Sequence, residues 1–173
     1  DLETTGTHSK DDKITELGAS KIKNGYIVDR METLVNPGRY IPDKVSRLTG
    51  LANETVENAP AIQECMPQFL DFIGNDILIA HNASFDAHFI NAALLEMGHP
   101  RLKNTILCTY KLGRRFLPGL RRYSLNTLAQ YFRIVNASPH RAGSDAATCA
   151  HIFIALLNLL PERGLFTVHD LIV

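Results

Sequence analysis

A four-residue apolar run, Ile77-Leu78-Ile79-Ala80, most restricts how this chain can fold. The run is too short for a helix, and a continuous apolar pattern of this length is typical of a strand buried on both faces. Apolar residues at helical spacing precede it over residues 61–73 and follow it over residues 84–96. A second short run at 105–109 repeats the pattern. Buried strands that alternate with helices indicate an α/β domain with parallel strands toward its middle.

The earlier part of the chain predicts antiparallel strands. Two strand-like runs, 14–23 and 26–35, are joined by Asn24-Gly25, the strongest short hairpin signal. With a first strand at the beginning of the sequence, they give an α/β domain with a mixed five-stranded sheet flanked by helices. The remaining helices are expected at 42–48, at 110–116, from Ser124 and from Ser144 to residue 160. At 173 residues and 45% apolar composition, one such domain buries roughly 70% of its unfolded surface.

The first strand begins with two acids, in Asp1-Leu2-Glu3. Side chains alternate faces along a strand, so Asp1 and Glu3 project to one side while Leu2 faces the apolar side. Two neighbouring carboxylates are costly to ionise together unless a cation lies between them. Mg²⁺ prefers such oxygen ligands, so the pair forms half of a candidate metal site. The alternative is a solvated strand edge without function.

Both ends of the sequence predict a longer native polypeptide. A metal ligand at residue 1 carries its own α-ammonium, with a pKa of about 7.7 to 8, beside the cation that it must hold. We therefore expect an apolar run before Asp1 that completes a central strand. At the other end, Thr167-Val168-His169-Asp170 has the spacing of a capping box that opens a helix, yet the sequence stops three residues later. The expected organisation is one domain over residues 1–173, truncated at both ends.

Charge is unevenly distributed although the net charge is zero. No acid occurs from Met97 to Ser144, a stretch that holds half of the 18 Lys and Arg residues. These are Arg101, Lys103, Lys111, Arg114, Arg115, Arg121, Arg122, Arg133 and Arg141. A single-sign field on this scale attracts partners of opposite charge, and the alternative is a solvated basic face with no partner. In the densest part, residues 111–123, cations are interleaved with Phe116 and Tyr123, a composition suited to phosphates with some stacking.

Two features bear on the compartment. No stretch approaches the ~20 apolar residues that span a bilayer, so no membrane partner is expected. The three cysteines, Cys65, Cys108 and Cys149, are odd in number and lack the spacing of a zinc site, which predicts reduced, buried thiols. Both features favour a cytoplasmic protein.

Two further acids and a histidine fall where this architecture gathers ligands. Asp86 follows the apolar run at 77–80, and open α/β sheets bind ligands at the carboxyl ends of their strands. Asp145 lies near the start of the last long helix, five residues after His140. The alternative for both acids is a favourable interaction with the helix dipole, and a single loop histidine is usually incidental.

These residues match a known family. Asp1-x-Glu3-x-x-Gly6, Asn82-x-x-Phe85-Asp86 and His140-x-Ala142-x-x-Asp145 resemble the three exonuclease motifs of the DEDDh branch of the DnaQ-like 3'-to-5' exonucleases. The motifs occur in the family's order at plausible separations. The likeness also covers Leu48-Thr49-Gly50-Leu51, which looks like the family's loop against the terminal nucleotide. Within the branch, the sequence resembles the proofreading (epsilon) subunits of bacterial DNA polymerase III and their free-standing relatives.

The resemblance implies a ribonuclease-H-like fold, two Mg²⁺ or Mn²⁺ ions, and release of nucleoside 5'-monophosphates from a 3' end. Two ions about 3.5 to 4 Å apart serve both the attacking water and the leaving 3'-oxygen. By resemblance, Asp1 bridges the ions, and Glu3 and Asp145 complete the nucleophile-side ion. Asp86 then acts mainly through the second ion or its waters. His140 takes the proton of the water, and activity is expected to rise as the pH passes about 6.5, the ordinary pKa of histidine.

The resemblance further implies contacts with the substrate. Leu51 would be a wedge against the terminal base and Thr49 a contact with sugar or phosphate, while Phe85 either stacks on a base or packs in the core. The predicted substrate-binding residues are Thr5, Thr49, Gly50, Leu51, Asn82 and Phe85.

The leading hypothesis is a metal-dependent 3'-to-5' exonuclease that acts on single-stranded or frayed DNA ends in proofreading or repair. Its partners would be nucleic-acid 3' ends, with DNA favoured over RNA, and a DNA polymerase subunit. An exoribonuclease of the ribonuclease T or oligoribonuclease kind is the alternative within the same chemistry, because only a contact with the 2'-hydroxyl separates RNA from DNA. From a different class, an inactive nucleic-acid-binding module would have no reason to keep four acids and a histidine together.

Overall fold

The computed structural model describes residues 1–161, 164 and 169–172, which form five strands and eight helices. The strands are β1 (Leu2–Thr4), β2 (Ile14–Lys23), β3 (Tyr26–Leu34), β4 (Leu78–Ala80) and β5 (Ile106–Cys108). The helices are α1 (Asp43–Thr49), α2 (Asn53–Val56), α3 (Ile62–Ile73), α4 (Ser84–Glu96), α5 (Thr109–Phe116), α6 (Leu125–Tyr131), α7 (Ala142–Leu157) and α8 (His169–Ile172). The predicted α/β class and the alternation of strands with helices are confirmed.

The β2–β3 hairpin forms where the sequence predicts it. The two strands pair antiparallel around Asn24 and Gly25, whose φ values of 52° and 79° suit a tight turn. β1 pairs antiparallel with the first half of β2, and the register places Glu3 opposite Glu16. Because side chains alternate, Leu2 enters the apolar core whereas Glu3 faces the other side of the sheet.

The five strands form two sheets where a single five-stranded sheet is predicted. β1, β2 and β3 are antiparallel, and β4 and β5 pair in parallel. β1 covers β2 only as far as the two backbone hydrogen bonds between Asp1 and Gly18. Beyond that point, a mainly apolar cavity lies between residues 18–22 of β2 and the strand β4. For this reason β4 is half-buried rather than buried on both faces.

Helix boundaries follow the prediction closely except at α7. α4 spans Ser84–Glu96 as predicted, and the Ser124 hydroxyl caps α6. α7 begins at Ala142 rather than at Ser144, because the Glu16 carboxylate accepts a hydrogen bond from the Ala142 N–H at 2.8 Å. A side chain of β2 therefore satisfies the first turn of this helix, which local sequence cannot reveal.

The apolar core is divided into three clusters. One cluster joins β1 and β2 to α3 and α4, and a second joins α5, α6 and α7 to β5. A third, small cluster consists of Ile41, Leu51 and Val56. The first turn of α7 lies directly against β2, since a Cβ on Gly18 would overlap the Ala142 backbone. Gly18 thus permits a backbone-to-backbone approach that no other residue type allows.

The three cysteines are free thiols, with Cys65 and Cys149 buried and Cys108 half-buried. Burial raises the pKa of Cys149 to about 11, so this thiol stays protonated. Within the described residues, no helix has the length and apolar character needed to cross a membrane. Of the predicted capping box near the C-terminus, Thr167 and Val168 lie outside the described residues.

Candidate active site

Three of the predicted site residues meet at one point. Ligand atoms of Glu3, His140 and Asp145 all lie within 4.8 Å of one another. Glu3 comes from β1, His140 from the loop before α7, and Asp145 from the first turn of α7. The fold therefore combines the two ends of the sequence into one cluster of two carboxylates and an imidazole.

Hydrogen bonds hold the Asp145 carboxylate in place. The Asn136 side-chain amide donates to one oxygen at 2.5 Å, and the His140 backbone N–H donates to the other at 3.2 Å. The Ser144 hydroxyl donates to the side-chain oxygen of Asn136 at 2.7 Å, which orients that amide. His140 has a φ of 63°, a left-handed conformation that is uncommon for a residue with a side chain. The loop before α7 is thus folded tightly around the carboxylate.

An ion pair with a buried carboxylate and a partly exposed arginine lies beside this cluster. Glu16, opposite Glu3 in the β1–β2 register, is 0% exposed. Arg141 Nε donates to the two Glu16 oxygens at 3.1 and 3.2 Å, and Arg141 Nη2 donates to one of them at 2.5 Å. No local pattern signals this pair, because its members are 125 positions apart. By sequence Arg141 belongs to the basic stretch of residues 97–144, but its charge is used in the ion pair with Glu16.

Negative charge accumulates around Glu3. Burial, followed by the carboxylates of Asp145 and Glu16, raises the pKa of Glu3 to about 7, against the opposing effects of the α-ammonium and of Arg141. Ionising Glu3 is therefore unfavourable as long as no further cation is near. A divalent cation between Glu3 and Asp145 would relieve this repulsion, and carboxylate oxygens are the ligands that Mg²⁺ and Mn²⁺ prefer. The residues present therefore fit such an ion.

The other two predicted acids, Asp1 and Asp86, border the cavity between β2 and β4. Asp86 lies in the first turn of α4 and is 7% exposed. Burial raises the pKa of its carboxyl, and the nearby α-ammonium of residue 1 acts in the opposite direction. The four acids thus occupy one region, with Glu3 and Asp145 in direct proximity and Asp1 and Asp86 at the adjoining cavity.

Two of the predicted substrate-binding residues are accessible. Asn82 is exposed and has a φ of 60°, and Gly50 ends α1 in a left-handed conformation with open space around its Cα. Phe85 is half-buried against the first core cluster and lies 4.8 Å from Phe89 between ring centroids. Part of the Phe85 ring therefore packs in the core, which is the alternative to base stacking that helical spacing suggests.

Thr5, Thr49 and Leu51 are buried. The Thr5 hydroxyl donates to Asp12 Oδ1 at 3.1 Å, and the Thr49 hydroxyl accepts the Leu51 N–H at 3.1 Å. Leu51 is 1% exposed within the third core cluster, so its side chain is not available to a base in this conformation. The exposed leucine of the same segment is Leu48, at 58%.

The densest basic stretch is exposed, but its aromatic residues are not free to stack. Its exposed cations are Lys111, Arg114, Arg115, Arg121 and Arg122. Phe116 is 2% exposed within the second core cluster, so the expected stacking role is wrong for this residue. Tyr123 is half-buried, and its hydroxyl donates to the Leu117 carbonyl at 2.8 Å. The surface is therefore suited to phosphates more than to bases.

His81 belongs to none of the three motifs, although it directly precedes Asn82. Its Nδ1 lies 2.9 Å from the Thr109 hydroxyl, and its ring meets Tyr110 edge-on with centroids 6.1 Å apart. Burial lowers the pKa of His81, while a hydrogen bond with the Tyr123 backbone and the charge of Asp145 raise it. His81 therefore lies within electrostatic reach of the cluster, beside the exposed ring of Tyr110.

An α/β fold that brings carboxylates and one histidine together near its strand ends is typical of hydrolytic enzymes with a metal site. The particular family follows from comparison, since an exonuclease family model matches residues 1–153. The chain belongs to this exonuclease family, within its DEDDh, DnaQ-like branch of 3'-to-5' exonucleases.

Two similar proteins are chains of DNA polymerase III. The chain is 42% identical over 171 residues to a PolC-type DNA polymerase III of Caldanaerobacter subterraneus, covering 99% of this chain and 12% of that protein. It is 38% identical over 160 residues to the DNA polymerase III subunit epsilon of Aquifex aeolicus, covering 92% of this chain and 79% of that protein. The chain thus spans about one eighth of the PolC-type relatives and most of the epsilon relative.

Solved structures confirm the ribonuclease-H-like fold. Exonuclease X in complex with 5' overhanging duplex DNA has a TM-score of 0.79 and 28% identity, covering 99% of this chain and 94% of that one. The nuclease domain of 3'hExo, a DEDDh family member bound to rAMP, has a TM-score of 0.78 over 91% of this chain and 89% of that one. At 18% identity, the second likeness concerns the fold alone.

Proposed function

We propose that this domain is a two-metal 3'-to-5' exonuclease that hydrolyses phosphodiester bonds at the 3' end of single-stranded or frayed DNA and releases nucleoside 5'-monophosphates. The observation that carries the proposal is the meeting of Glu3, His140 and Asp145 within 4.8 Å. Asp1 and Asp86 border the cavity that adjoins this cluster. Together, they provide the oxygen ligands for divalent ions and a base for water.

Each side chain has a distinct role in the proposed reaction. Asp1, Glu3, Asp86 and Asp145 would hold two Mg²⁺ or Mn²⁺ ions. When bound, the ions supply a more acidic water and charge stabilisation for the leaving 3'-oxygen. His140 accepts the proton of the attacking water at an imidazole nitrogen. Asn136 orients the Asp145 carboxylate through its 2.5 Å hydrogen bond.

The substrate would approach over the exposed side chains near the cluster. Asn82 and Gly50 are accessible without rearrangement, whereas Thr5, Thr49, Leu51 and part of Phe85 are buried and would contact a nucleotide only after movement of their segments. The exposed cations of residues 111–122 would bind the phosphate backbone. Binding is therefore expected to weaken steeply with salt.

DNA is the favoured substrate because the similar proteins are DNA polymerase III chains and a DNA-bound exonuclease. The proposed role is proofreading or repair. The partner would be a DNA polymerase, either in the same polypeptide, as in the PolC-type relatives, or as a separate subunit, as with epsilon. Such a role would place the domain beside the chromosome, in the bacterial cytoplasm.

We also propose that residues 1–173 belong to one exonuclease domain whose sheet is completed by an apolar strand segment on the N-terminal side of Asp1. The cavity between β2 and β4 supports this proposal, because its lining includes an open edge of each strand. A strand in line with β1 would pair with both edges and join the two sheets.

The test is a nucleotide-release assay with the purified chain. Single-stranded DNA labelled at the 5' end and, separately, at the 3' nucleotide is incubated with Mg²⁺ or Mn²⁺, and matched reactions contain EDTA. Labelled 5'-monophosphate should appear at once from the 3'-labelled strand and not from the 5' end, and EDTA should abolish its release. No release with either ion would refute the proposal. The remaining hypothesis would then be an inactive nucleic-acid-binding module.

A matched RNA oligonucleotide of the same sequence decides the substrate class. The proposal expects a higher kcat/KM on DNA than on RNA. A preference for RNA would instead identify the exoribonuclease alternative while leaving the metal-dependent chemistry unchanged.

A further inference from the structure

The ion pair of Glu16 and Arg141 connects the two parts of the acidic cluster. Glu16 lies on β2 opposite Glu3, and Arg141 is the residue between His140 and the first turn of α7. Arg141 Nε and Nη2 together make three hydrogen bonds to the Glu16 carboxylate, at 2.5 to 3.2 Å. The Ala142 N–H adds a fourth at 2.8 Å. One buried carboxylate therefore anchors the start of α7 to the strand next to β1.

Two close approaches make this connection stiff. Arg141 Nη2 also donates to Glu32 Oε1 on β3 at 3.2 Å. A Cβ on Gly143 would overlap the Glu32 carboxylate, and a Cβ on Gly18 would overlap the Ala142 backbone. The first turn of α7 is thus held to the sheet by charge-assisted hydrogen bonds and by the close backbone contact at Gly18.

Arg141 also lies between the two groups that must meet Glu3. The Asp145 N–H donates to the Arg141 carbonyl at 2.9 Å, and the His140 N–H donates to the Asp145 carboxylate at 3.2 Å. Any movement of Arg141 would consequently displace both side chains relative to β1. Asp145 and His140 have no comparable ion pair of their own among the interactions described for the chain.

We propose that Glu16 and Arg141 are positioning residues, which hold His140 and Asp145 at the distance from Glu3 that cation binding and proton transfer require. This inference rests on the proposed exonuclease function. A purely structural ion pair would affect stability alone, because removing one partner leaves an unpaired buried charge. A positioning pair affects kcat and cation affinity even where stability is restored.

The decisive variant removes both partners. Glu16→Met/Arg141→Met leaves no unpaired buried charge, because Glu32, the other partner of Arg141, has a side chain that is 49% exposed. Apolar replacement of both members of an ion pair with a buried carboxylate is often neutral or stabilising. Thermal unfolding, Mn²⁺ binding by calorimetry, and kcat and KM on a 3'-labelled DNA oligonucleotide are measured on the same preparations. The control is Glu96→Gln, which removes the acid of the exposed Lys13–Glu96 ion pair.

The double variant should unfold at a temperature close to that of the wild type. Its kcat should fall about 10²-fold, the effect of a displacement of about 1 Å at a reacting group. Its Mn²⁺ affinity should fall about 10- to 100-fold, as when residues that orient metal ligands are lost. The KM of the double variant for the oligonucleotide should stay near the wild-type value. The control Glu96→Gln should match the wild type in unfolding temperature, Mn²⁺ affinity, kcat and KM. A folded double variant with unchanged kcat and Mn²⁺ affinity would overturn the proposal.

Arg141→Lys decides the question if the double variant does not fold. Lysine keeps the charge but lacks the planar fork that binds both carboxylate oxygens, so kcat should fall about tenfold in a folded protein. Wild-type kcat in Arg141→Lys would count against positioning. A wild-type chain without nuclease activity would refute the proposed function instead, and Mn²⁺ affinity would still test the role of the ion pair.

Discussion

The two sides of the candidate site are built in different ways. On the side of α7 and the antiparallel sheet, Asp145 accepts two hydrogen bonds and the neighbouring Glu16 is fully paired with Arg141. On the side of α4 and β4, Asp86 is buried next to an apolar cavity, and burial raises the pKa of its carboxyl. The first side is fixed by contacts within the chain, whereas the second depends on what fills the space beside it.

The two sides therefore differ in how far their carboxylates are positioned before a cation binds. Carboxylates held by hydrogen bonds keep their positions without a cation, but a buried carboxyl with a raised pKa favours its neutral form until a cation arrives. We therefore expect substitutions on the α7 side to reduce the rate of the chemical step in addition to any change in cation affinity. Substitutions on the α4 side should show more strongly in cation affinity and in stability without metal.

The largest expected effect is that of Asp145→Asn. The substitution keeps the shape of the side chain but removes the charge at the centre of the cluster, so hydrolysis should fall by about 10³-fold or more. The oligonucleotide assay with saturating Mg²⁺ measures the loss. Asp71→Asn, an exposed acid of α3, is the matched control and should be fully active. Substantial activity of Asp145→Asn would show that hydrolysis does not need the negative charge of Asp145.

His140→Ala should lose activity by about 10²- to 10⁴-fold, the usual contribution of a general base. Its fold should stay intact, because the backbone N–H that binds Asp145 is retained. The control is His151→Ala, which changes an exposed histidine of α7. The comparison is made with kcat at pH 7, and wild-type activity of His140→Ala there would exclude this residue from the mechanism.

Without metal, Glu3→Gln should be more stable than the wild type at pH 8 and not at pH 4. The pKa of Glu3 rises in the fold to about 7 from 4.5, so the folded state holds the proton more tightly. Its contribution to stability is complete below pH 4.5 and is lost as the pH rises through 7. Unfolding temperatures in EDTA should differ by a few degrees at pH 8.

Asp86→Asn tests the other side with the same measurement. Burial also raises the pKa of Asp86, so the neutral amide should stabilise the metal-free protein at pH 8. The expected sign is therefore the same as for Glu3→Gln. A lower unfolding temperature of Asp86→Asn at pH 8 would mean that contacts with its charged form outweigh burial.

The smallest effect is expected from joining the two sides. A Val-Ile-Val-Val segment placed before Asp1 should enter the cavity between β2 and β4 and raise the unfolding temperature by a few degrees. Gly-Ser-Gly-Ser at the same position is the control of equal length. Hydrogen exchange should slow at residues 19–22 in the apolar variant alone. Equal exchange in both variants would show that the cavity does not accept a strand.

Local patterns predict the elements of this fold well. Strand β2 and helix α4 have the predicted bounds, because Asn24-Gly25 fixes the turn after β2 and apolar spacing defines α4. Long-range partners explain the differences. Glu16 moves the start of α7 to Ala142, and the cavity beside β4 divides the expected sheet in two.

For the site, the motif spacing brings together the residues that it predicts to be close. Glu3, His140 and Asp145 converge, yet their roles stay predictions. The pairing of Glu16 with Arg141 could not be foreseen, since the two residues are 125 positions apart and Arg141 belongs by sequence to the basic stretch. The burial of Leu51 and Phe116 was equally hidden, because an apolar residue in a loop or a basic helix fits both a core and a ligand surface.

The contact between Gly18 and the Ala142 backbone has a consequence for the choice of ion. Neither side of this contact contains a rotatable side chain, so the gap between β2 and the first turn of α7 cannot widen by a change of rotamer. Since β1 is paired with β2, this contact helps to set the distance between Glu3 on β1 and Asp145 on α7. Ca²⁺ binds oxygen at 2.3 to 2.6 Å where Mg²⁺ needs about 2.0 to 2.1 Å, so a fixed distance between the two carboxylates favours one ion over the other. Calcium should accordingly bind the purified chain less tightly than magnesium, which calorimetry would measure.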